Sequence, residues 1–184
     1  MLIPAPLSTI AGPRSRISDA SSSAAGTAGS YAARYISPVE IDGWYAHTVR
    51  VRFAETDAQG IAHHASYVVW LEEARVAHLA AVAGGYAAIR ARGIEAFTTG
   101  IELTYERAAA FDEVLTVLVR CGEARGARFR YEYVVERDGE RVATGSTRHA
   151  TVDALTRRPV RVPDWLLADL LSGQAPSRPS SATS

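Results

Sequence analysis

A short segment of the chain, TDAQGIAHHASY from Thr56 to Tyr67, holds the residue types that can perform chemistry. Asp57 is the only carboxylate in it. A carboxylate can deprotonate water as a general base or attack a carbonyl as a nucleophile. Asp57 and Gly60 also stand at the first and fourth positions of a type I turn signature. A turn role is therefore the simpler interpretation of Asp57 from this pattern alone.

The position of this turn in front of a predicted helix favours a functional role. The first backbone N–H groups of a helix lack intrahelical acceptors, and the helix dipole stabilises negative charge there. No Ser, Thr, Asn or Asp stands between Gly60 and Ala65. A helix that begins near His64 would leave these donors free to bind a ligand oxygen. Ser66 supports an alternative, in which it caps a helix that begins at Tyr67.

The paired histidines His63 and His64 do not predict a metal site, and we expect no cofactor. Adjacent residues at a helix start point about 100° apart. No His-x-x-x-His pair or carboxylate at ligand spacing follows them. A local hydrogen bond is the simpler role for His64.

Other nucleophiles and bases are weaker candidates. The chain has no Gly-x-Ser-x-Gly motif, and its single cysteine, Cys121, stands in an apolar strand pattern that predicts a buried, inert thiol. Glu72 and Glu73 fit a solvated helix face. They remain secondary candidates for a base because they share the predicted helix with His64.

The elements that must position this segment follow from hydrophobic periodicity. Trp44 to Phe53 alternates as a half-buried strand does. From about Ala65 the period becomes helical, and Gly84 and Gly85 should end that helix. Glu72, Glu73 and Arg75 are predicted to lie mostly off the apolar stripe. The stripe consists of Tyr67, Trp70, Leu71, Ala74, Ala77 and Ala81.

Four strands are predicted after a possible short helix that ends near residue 92. They cover about residues 95–106, 114–123, 127–137 and 140–153. The Asp138-Gly139 dipeptide predicts a hairpin between the last two. PDWLLADLL, from Pro163, predicts a final short helix. This order predicts an α+β fold in which an antiparallel sheet wraps one long helix, and small residues at 143, 145 and 147 could admit the helix backbone.

Composition limits the classes of function. The 184 residues carry 20 basic and 20 acidic side chains, which gives no electrostatic indication of nucleic acid or membrane binding. A small-molecule substrate is therefore the default. We expect a disordered extension at 1–40, one domain at 41–172 and a disordered tail at 173–184. A cytoplasmic location is expected, and a transit peptide at 1–40 is the alternative.

The segment VRFAETDAQGIAHHASYVVWLEEAR, from Val51 to Arg75, resembles the signature of the 4-hydroxybenzoyl-CoA thioesterase and YbgC-like branch of the hotdog-fold superfamily. The segments TYERAAAFDEVLTV and ATGSTRHATVDALTRRPVRVP resemble later parts of that family, so the similarity covers roughly residues 45–163. It implies a hotdog fold, in which a curved antiparallel sheet wraps a long central helix. It also implies homodimers or homotetramers with sites at subunit interfaces.

The resemblance implies hydrolysis of acyl-CoA thioesters. Asp57 matches the catalytic carboxylate, as general base or nucleophile, and His64 matches a histidine that orients substrate or water. Backbone N–H groups around residues 61–65 would polarise the thioester carbonyl. The other implied substrate-binding residues are Gly60, Ile61, His63, Ala65 and Tyr67.

Two departures from the family pattern stand out, and two alternative functions remain open. Phe53 replaces a Tyr found in some members, and Ser66 replaces a frequent Asn. One alternative is a hotdog module that binds acyl thioesters without hydrolysing them. The other is a hotdog enzyme that acts on acyl chains bound to a carrier protein.

Overall fold

The computed structural model describes residues 39–41 and 43–172. Most of the expected N-terminal extension and the tail at 173–184 lie outside the described residues. One strand spans the predicted domain boundary near residue 40. The elements in chain order are β1 (Val39–Ile41), β2 (Trp44–Arg50), α1 (His64–Ala83), α2 (Gly85–Ala91), β3 (Ile94–Tyr105), β4 (Val114–Arg125), β5 (Arg128–Arg137), β6 (Glu140–Asp153) and α3 (Asp164–Leu171).

The six strands form one antiparallel sheet in the order β1-β2-β4-β5-β6-β3. The β5–β6 hairpin closes at Asp138 and Gly139, whose φ angles of 52° and 79° suit its two-residue turn. This confirms the hairpin predicted from the Asp-Gly dipeptide. β3 pairs only with β6, so it is an edge strand of the described sheet.

Helix α1 packs its apolar stripe on the sheet, as the sequence predicts for an α+β fold. Trp70, Leu71 and Ala74 are at most 1% exposed and join one core cluster with Val117 and Tyr131 of the strands. Truncation of a buried tryptophan to alanine typically costs about 3–5 kcal/mol, so Trp70 anchors the helix. α1 ends where Gly84 adopts a left-handed φ of 72°.

Two residues of α1 differ in burial from the prediction based on the apolar stripe. Arg75, predicted to lie off the apolar face, is buried, whereas Ala81 is exposed. Arg75 donates from Nη2 to Glu72 Oε1 at 3.1 Å, and its long side chain carries the charge to that exposed partner.

Small residues on β6 were predicted to admit the backbone of the helix. At Gly145, a Cβ would lie 2.8 Å from Glu102 O on β3 and 3.4 Å from the Leu71 side chain. The crowding at this glycine therefore comes mainly from β3 and from a helix side chain.

Strand β2 is shorter than the predicted strand to Phe53. The Arg52 N–H donates to Glu55 Oε2 at 2.8 Å, and residues Phe53–Glu55 form a 3₁₀ turn. The turn redirects the chain toward α1, so the strand pattern continues in the sequence beyond the end of the strand itself. No helix among the described residues is long and apolar enough to span a membrane.

Candidate active site

The segment from Asp57 to Gly60 forms the turn that its sequence predicts. Gly60 N–H donates to Asp57 O at 3.0 Å, and Gln59 N–H donates to Asp57 Oδ1 at 2.8 Å. Gly60 has a φ of 77°, which favours glycine. Asp57 Oδ2 has no hydrogen-bond donor among the residues that the structure describes. One oxygen thus holds the turn, and the other is available to a ligand.

Helix α1 begins at His64, as the cap-poor segment predicts, but several N–H groups before and after it are occupied. Ala62 N–H donates to Ala109 O at 2.7 Å, and His63 N–H donates to Glu55 O at 2.7 Å. Ala65 N–H donates to the His63 ring at Nδ1, 3.2 Å away. His63 is therefore the N-cap of the helix, a role that the sequence pattern did not identify.

The N–H groups of Ile61 and His64 are the donors left in this stretch. Neither has a hydrogen-bond acceptor among the described residues. Ser66 does not cap the helix, because its hydroxyl donates to Glu55 O at 3.0 Å. Of the backbone N–H groups expected to bind a carbonyl oxygen over residues 61–65, only those of Ile61 and His64 are therefore free among the described residues.

A cavity of about 350 Å³ brings four of the predicted site residues together. Asp57, Ile61, His64 and Tyr67 line it. Gly60, His63 and Ala65 do not, although they stand beside those residues in the chain. The remaining lining comes from Ala62, from Tyr105 at the end of β3, and from Glu106, Arg107 and Ala108 in the loop after it.

The aromatic wall of this cavity is built from α1 and β3. Tyr105 O–H donates to His64 O at 3.1 Å, and its ring meets Tyr67 edge to face at a centroid distance of 5.1 Å. Burial raises the pKa of Tyr67, although a hydrogen bond with the Ala109 backbone acts in the opposite direction. Tyr67 is therefore a neutral phenol at physiological pH. Sequence reasoning did not select Tyr105, which is 38 residues away along the chain from Tyr67, although it lies in the segment TYERAAAFDEVLTV that resembles the family.

Beneath the turn lies a second carboxylate that sequence reasoning also missed, Glu55. Its Oε1 accepts from Trp70 Nε1 at 3.2 Å and from the Arg52 guanidinium at 2.5 Å. Burial raises the pKa of the Glu55 carboxyl, but the hydrogen bonds from Arg52 and Trp70 outweigh it and lower the pKa overall. Glu55 is thus an ionised anchor between the 3₁₀ turn and α1. The three-residue spacing from Arg52 to Glu55 is its only sequence signal.

The two secondary candidates for a base, Glu72 and Glu73, do not line the cavity. Glu72 binds Arg75, as noted above. Desolvation raises the pKa of Glu73, with Arg52 opposing and Glu55 reinforcing that shift. Both side chains are exposed on α1, as the sequence predicts for a solvated face.

The remaining reactive side chains, Cys121 and the two adjacent histidines, show neither a reactive thiol nor a metal site. Cys121 is buried, and burial, followed by the charge of Glu132, raises the pKa of its thiol to about 12. This confirms the burial of the thiol that the strand pattern predicts. The His63 and His64 rings lie 4.0 Å apart between centroids. Within residues 39–41 and 43–172, no three His, Cys, Asp or Glu side chains cluster as metal ligands would.

A larger cavity of about 1030 Å³ lies elsewhere, at the turn between β4 and β5. Thr99 of β3 lines it, six residues before Tyr105. It contains four arginines and a single carboxylate, Glu123. It lacks the pairing of a turn carboxylate with a helix start, so we place the candidate chemistry in the smaller cavity.

An antiparallel sheet around a long helix, with a carboxylate beside the helix start, defines the class of hotdog-fold thioesterases. The family model of the Thioesterase-like superfamily matches residues 51–170. The chain belongs to this superfamily.

Individual relatives agree with this assignment. The chain is 27% identical over 124 residues to the acyl-CoA thioesterase YbgC of Haemophilus influenzae. The aligned residues make up 67% of this chain and 91% of the relative. A hypothetical protein from Thermus thermophilus matches in structure with a TM-score of 0.63 and 35% identity, over 68% of this chain and 95% of that chain.

A third similarity is to the DHNA-CoA thioesterase from Staphylococcus aureus. Its TM-score is 0.62 at 28% identity, over 68% of this chain and 87% of that chain. These similarities confirm the hotdog fold and the assignment of the chain as a thioester hydrolase.

Proposed function

We propose that this protein hydrolyses acyl-CoA thioesters to a carboxylic acid and CoA, with Asp57 as the catalytic carboxylate. The observation that carries the proposal is the shared cavity of Asp57 and the His64 helix start. Asp57 Oδ2 is free to receive a proton from water or to attack the thioester carbonyl. Both routes end in the same products.

The carbonyl oxygen of the substrate would bind at the two free backbone donors, Ile61 N–H and His64 N–H. Negative charge develops on this oxygen as the carbonyl carbon becomes tetrahedral. Fixed N–H groups at a helix start stabilise that charge without reorganising. The His64 imidazole lines the same cavity and would orient the substrate or the water.

The aromatic wall supports an acyl group that packs against rings. Tyr67 and Tyr105 line the cavity next to Asp57. Tyr105 is 47% exposed in one copy of the chain, so a second copy can complete this wall. We assign Gly60, His63 and Ala65 supporting roles in the turn and the helix cap, and Tyr67 a packing role.

We further propose that the protein forms a homodimer through β3. This edge strand exposes large apolar side chains, Phe97 at 45%, Ile101 at 42% and Tyr105 at 47%. A long apolar edge strand invites pairing with another strand, and pairing with itself would bury these side chains. Because Tyr105 lies on β3, the dimer contact would adjoin the candidate site.

The test is a thiol-release assay over a series of acyl-CoA substrates with the full chain. Wild type should release CoA, and Asp57→Asn should fold normally but turn over at least about a hundredfold more slowly. A near wild-type rate in Asp57→Asn would remove Asp57 from the mechanism. Saturable binding without release would favour the non-hydrolytic module, and exclusive turnover of carrier-protein thioesters would favour the other alternative.

A further inference from the structure

One wall of the candidate active site is formed by the loop between β3 and β4, residues 106–113. Ala109 in this loop has no exposed surface. Its carbonyl oxygen accepts from Ala62 N–H at 2.7 Å, and its backbone is hydrogen-bonded to the Tyr67 phenol. The loop therefore contacts both the segment that carries Asp57 and the first turns of α1.

The pairing of this loop with the Asp57 segment decides where the free N–H of Ile61 points. Ile61 and Ala110 form an isolated antiparallel bridge, and the bond from Ala62 N–H to Ala109 O lies beside it. Ile61 thus belongs to a non-hydrogen-bonded pair, in which each residue directs its N–H and C=O away from its partner. The C=O of Ile61 accordingly accepts from Asp57 N–H at 2.9 Å. The Ile61 N–H lies on that same side, toward the turn of Asp57.

An ion pair outside the cavity lining holds the loop in this register. Arg137, the last residue of β5, donates from Nη1 to both carboxylate oxygens of Glu113, at 2.7 and 2.9 Å. The same nitrogen donates to Ala108 O at 3.3 Å. Glu113 Oε2 also accepts from Ala110 N–H at 2.9 Å. The pair therefore holds the loop on both sides of Ala109.

The environment of Glu113 keeps it able to serve both donors. The side chains of Arg137 and Glu113 are only 28% and 30% exposed, so water screens their attraction less than it would at the open surface. Burial raises the pKa of the Glu113 carboxyl, but the hydrogen bonds from Ala110 N–H and Arg137 outweigh it and lower the pKa overall. Hydrogen bonds to an ionised carboxylate are shorter and stronger than neutral ones. The loop is consequently fixed rather than loosely placed.

We propose that Arg137 and Glu113 are positioning residues for thioester hydrolysis, because they fix the loop whose pairing aims the Ile61 N–H at the substrate carbonyl oxygen. Neither side chain lines the cavity, so both act through residues 108–110. The proposal rests on the thioesterase function proposed above and extends the set of residues on which that reaction depends.

A misaligned donor should slow turnover without weakening substrate binding. The N–H of Ile61 matters most when negative charge develops on the carbonyl oxygen in the transition state. Removal of one such donor typically costs about a hundredfold to a thousandfold in kcat. A donor that is displaced and not removed should cost less, about tenfold. KM should change little, because the cavity lining stays in place.

Hydrogen exchange of the Ala62 amide reports on the loop without relying on catalysis. We would compare the full chain with Arg137→Met, which keeps an apolar stem and removes the charge. The Ala62 amide should exchange about tenfold or more faster in the variant, and the amides of β4 should change less. In the same variant, kcat for an acyl-CoA should fall about tenfold with little change in KM.

Two further variants separate positioning from a general loss of an ion pair. One nitrogen of Arg137 makes all three contacts, so the ammonium group of Arg137→Lys, with three donors, should restore most of the rate and of the protection at Ala62. Arg120→Met is the matched control, because Arg120 donates to Glu132 at 2.7 and 3.0 Å in a partly buried pair between β4 and β5. It should leave kcat and the exchange of Ala62 at their wild-type values.

The proposal is overturned by an unchanged Ala62 exchange or an unchanged kcat in Arg137→Met, or by equal effects in Arg120→Met. Equal acceleration of the β4 amides, or no recovery in Arg137→Lys, would likewise overturn it. Absence of all thioester hydrolysis in wild type would instead contradict the thioesterase function. The exchange comparison would still decide whether the ion pair fixes the loop.

Discussion

Glu55 and Trp70 are joined by a hydrogen bond of 3.2 Å from Trp70 Nε1 to Glu55 Oε1, beneath the turn that carries Asp57. The backbone oxygen of the same glutamate accepts from His63 N–H and Ser66 O–H. Glu55 therefore fixes the helix start through its main chain and one core side chain of α1 through its carboxylate. Asp57 stands two residues further along this anchored segment.

We predict that Glu55→Gln lowers kcat about tenfold and the free energy of unfolding by about 1–3 kcal/mol. An amide cannot accept from both Arg52 N–H and Trp70 Nε1, so one buried donor loses its partner. KM should change little because the cavity lining stays in place. Steady-state kinetics and urea unfolding measure the two effects.

The control for this prediction is Thr151→Val. Thr151 is buried near the C-terminal end of β6, and its hydroxyl donates to Val160 O at 2.6 Å. It should cost similar stability with an unchanged kcat. Equal losses of kcat in both variants would assign the effect of Glu55 to stability alone.

Substitution of the two adjacent histidines should have different effects, on kcat/KM for His64 and on stability for His63. His64→Ala removes a ring from the cavity but keeps its backbone N–H, so we expect a smaller loss of kcat/KM than for Asp57→Asn, about tenfold. His63→Ala removes the helix cap and should cost about 1 kcal/mol of stability. An unchanged kcat/KM in His64→Ala would return His64 to a structural role.

Acid should destabilise the fold through two buried histidines. Burial lowers the pKa of His78 to about 4, and burial with the charge of Arg75 lowers the pKa of His149 to about 3. The unfolded chain protonates both near pH 6.5, so it binds more protons than the native state below that pH. The contribution of the two neutral histidines to the free energy of unfolding is fully present above about pH 6.5. It falls as the pH decreases toward 4, by about 1.4 kcal/mol per pH unit for each histidine.

Urea unfolding between pH 7.5 and 4.5 measures this slope. His149→Gln keeps a polar side chain beside Thr147, whose hydroxyl lies 2.7 Å from His149 Nε2. We expect the variant to flatten the slope by the share of one histidine. A slope that stays the same would show that His149 does not remain neutral in the native state.

The exposed apolar side chains of the edge strand β3 lead us to predict a homodimer. Ile101→Lys places a charge in the middle of the exposed apolar edge and should convert the expected homodimer into monomers. Light scattering with size-exclusion chromatography measures the mass, and Val69→Lys, an exposed apolar residue on α1, is the control. A monomeric wild type would contradict the dimer.

Local patterns were sufficient for most of the fold. The Asp138-Gly139 turn, Gly84 at the end of α1 and the stripe around Trp70 each depend on short-range geometry, so their positions could be read directly. The end of β2 could not be predicted. Residues to Phe53 keep a strand pattern, but the Glu55 carboxylate caps a 3₁₀ turn there.

The sequence by itself determined the turn at Asp57 and the family to which it belongs, because these features lie within a few residues of one another. It left the helix start open between His64 and Tyr67, and the structure places it at His64. Only the tertiary structure decided that Tyr105 completes the cavity, that Glu55 anchors it from below and that Arg137 pairs with Glu113. The physical reason is that strand pairing and core packing join residues far apart in the chain. Periodicity records which face a side chain occupies and not which partner it meets there.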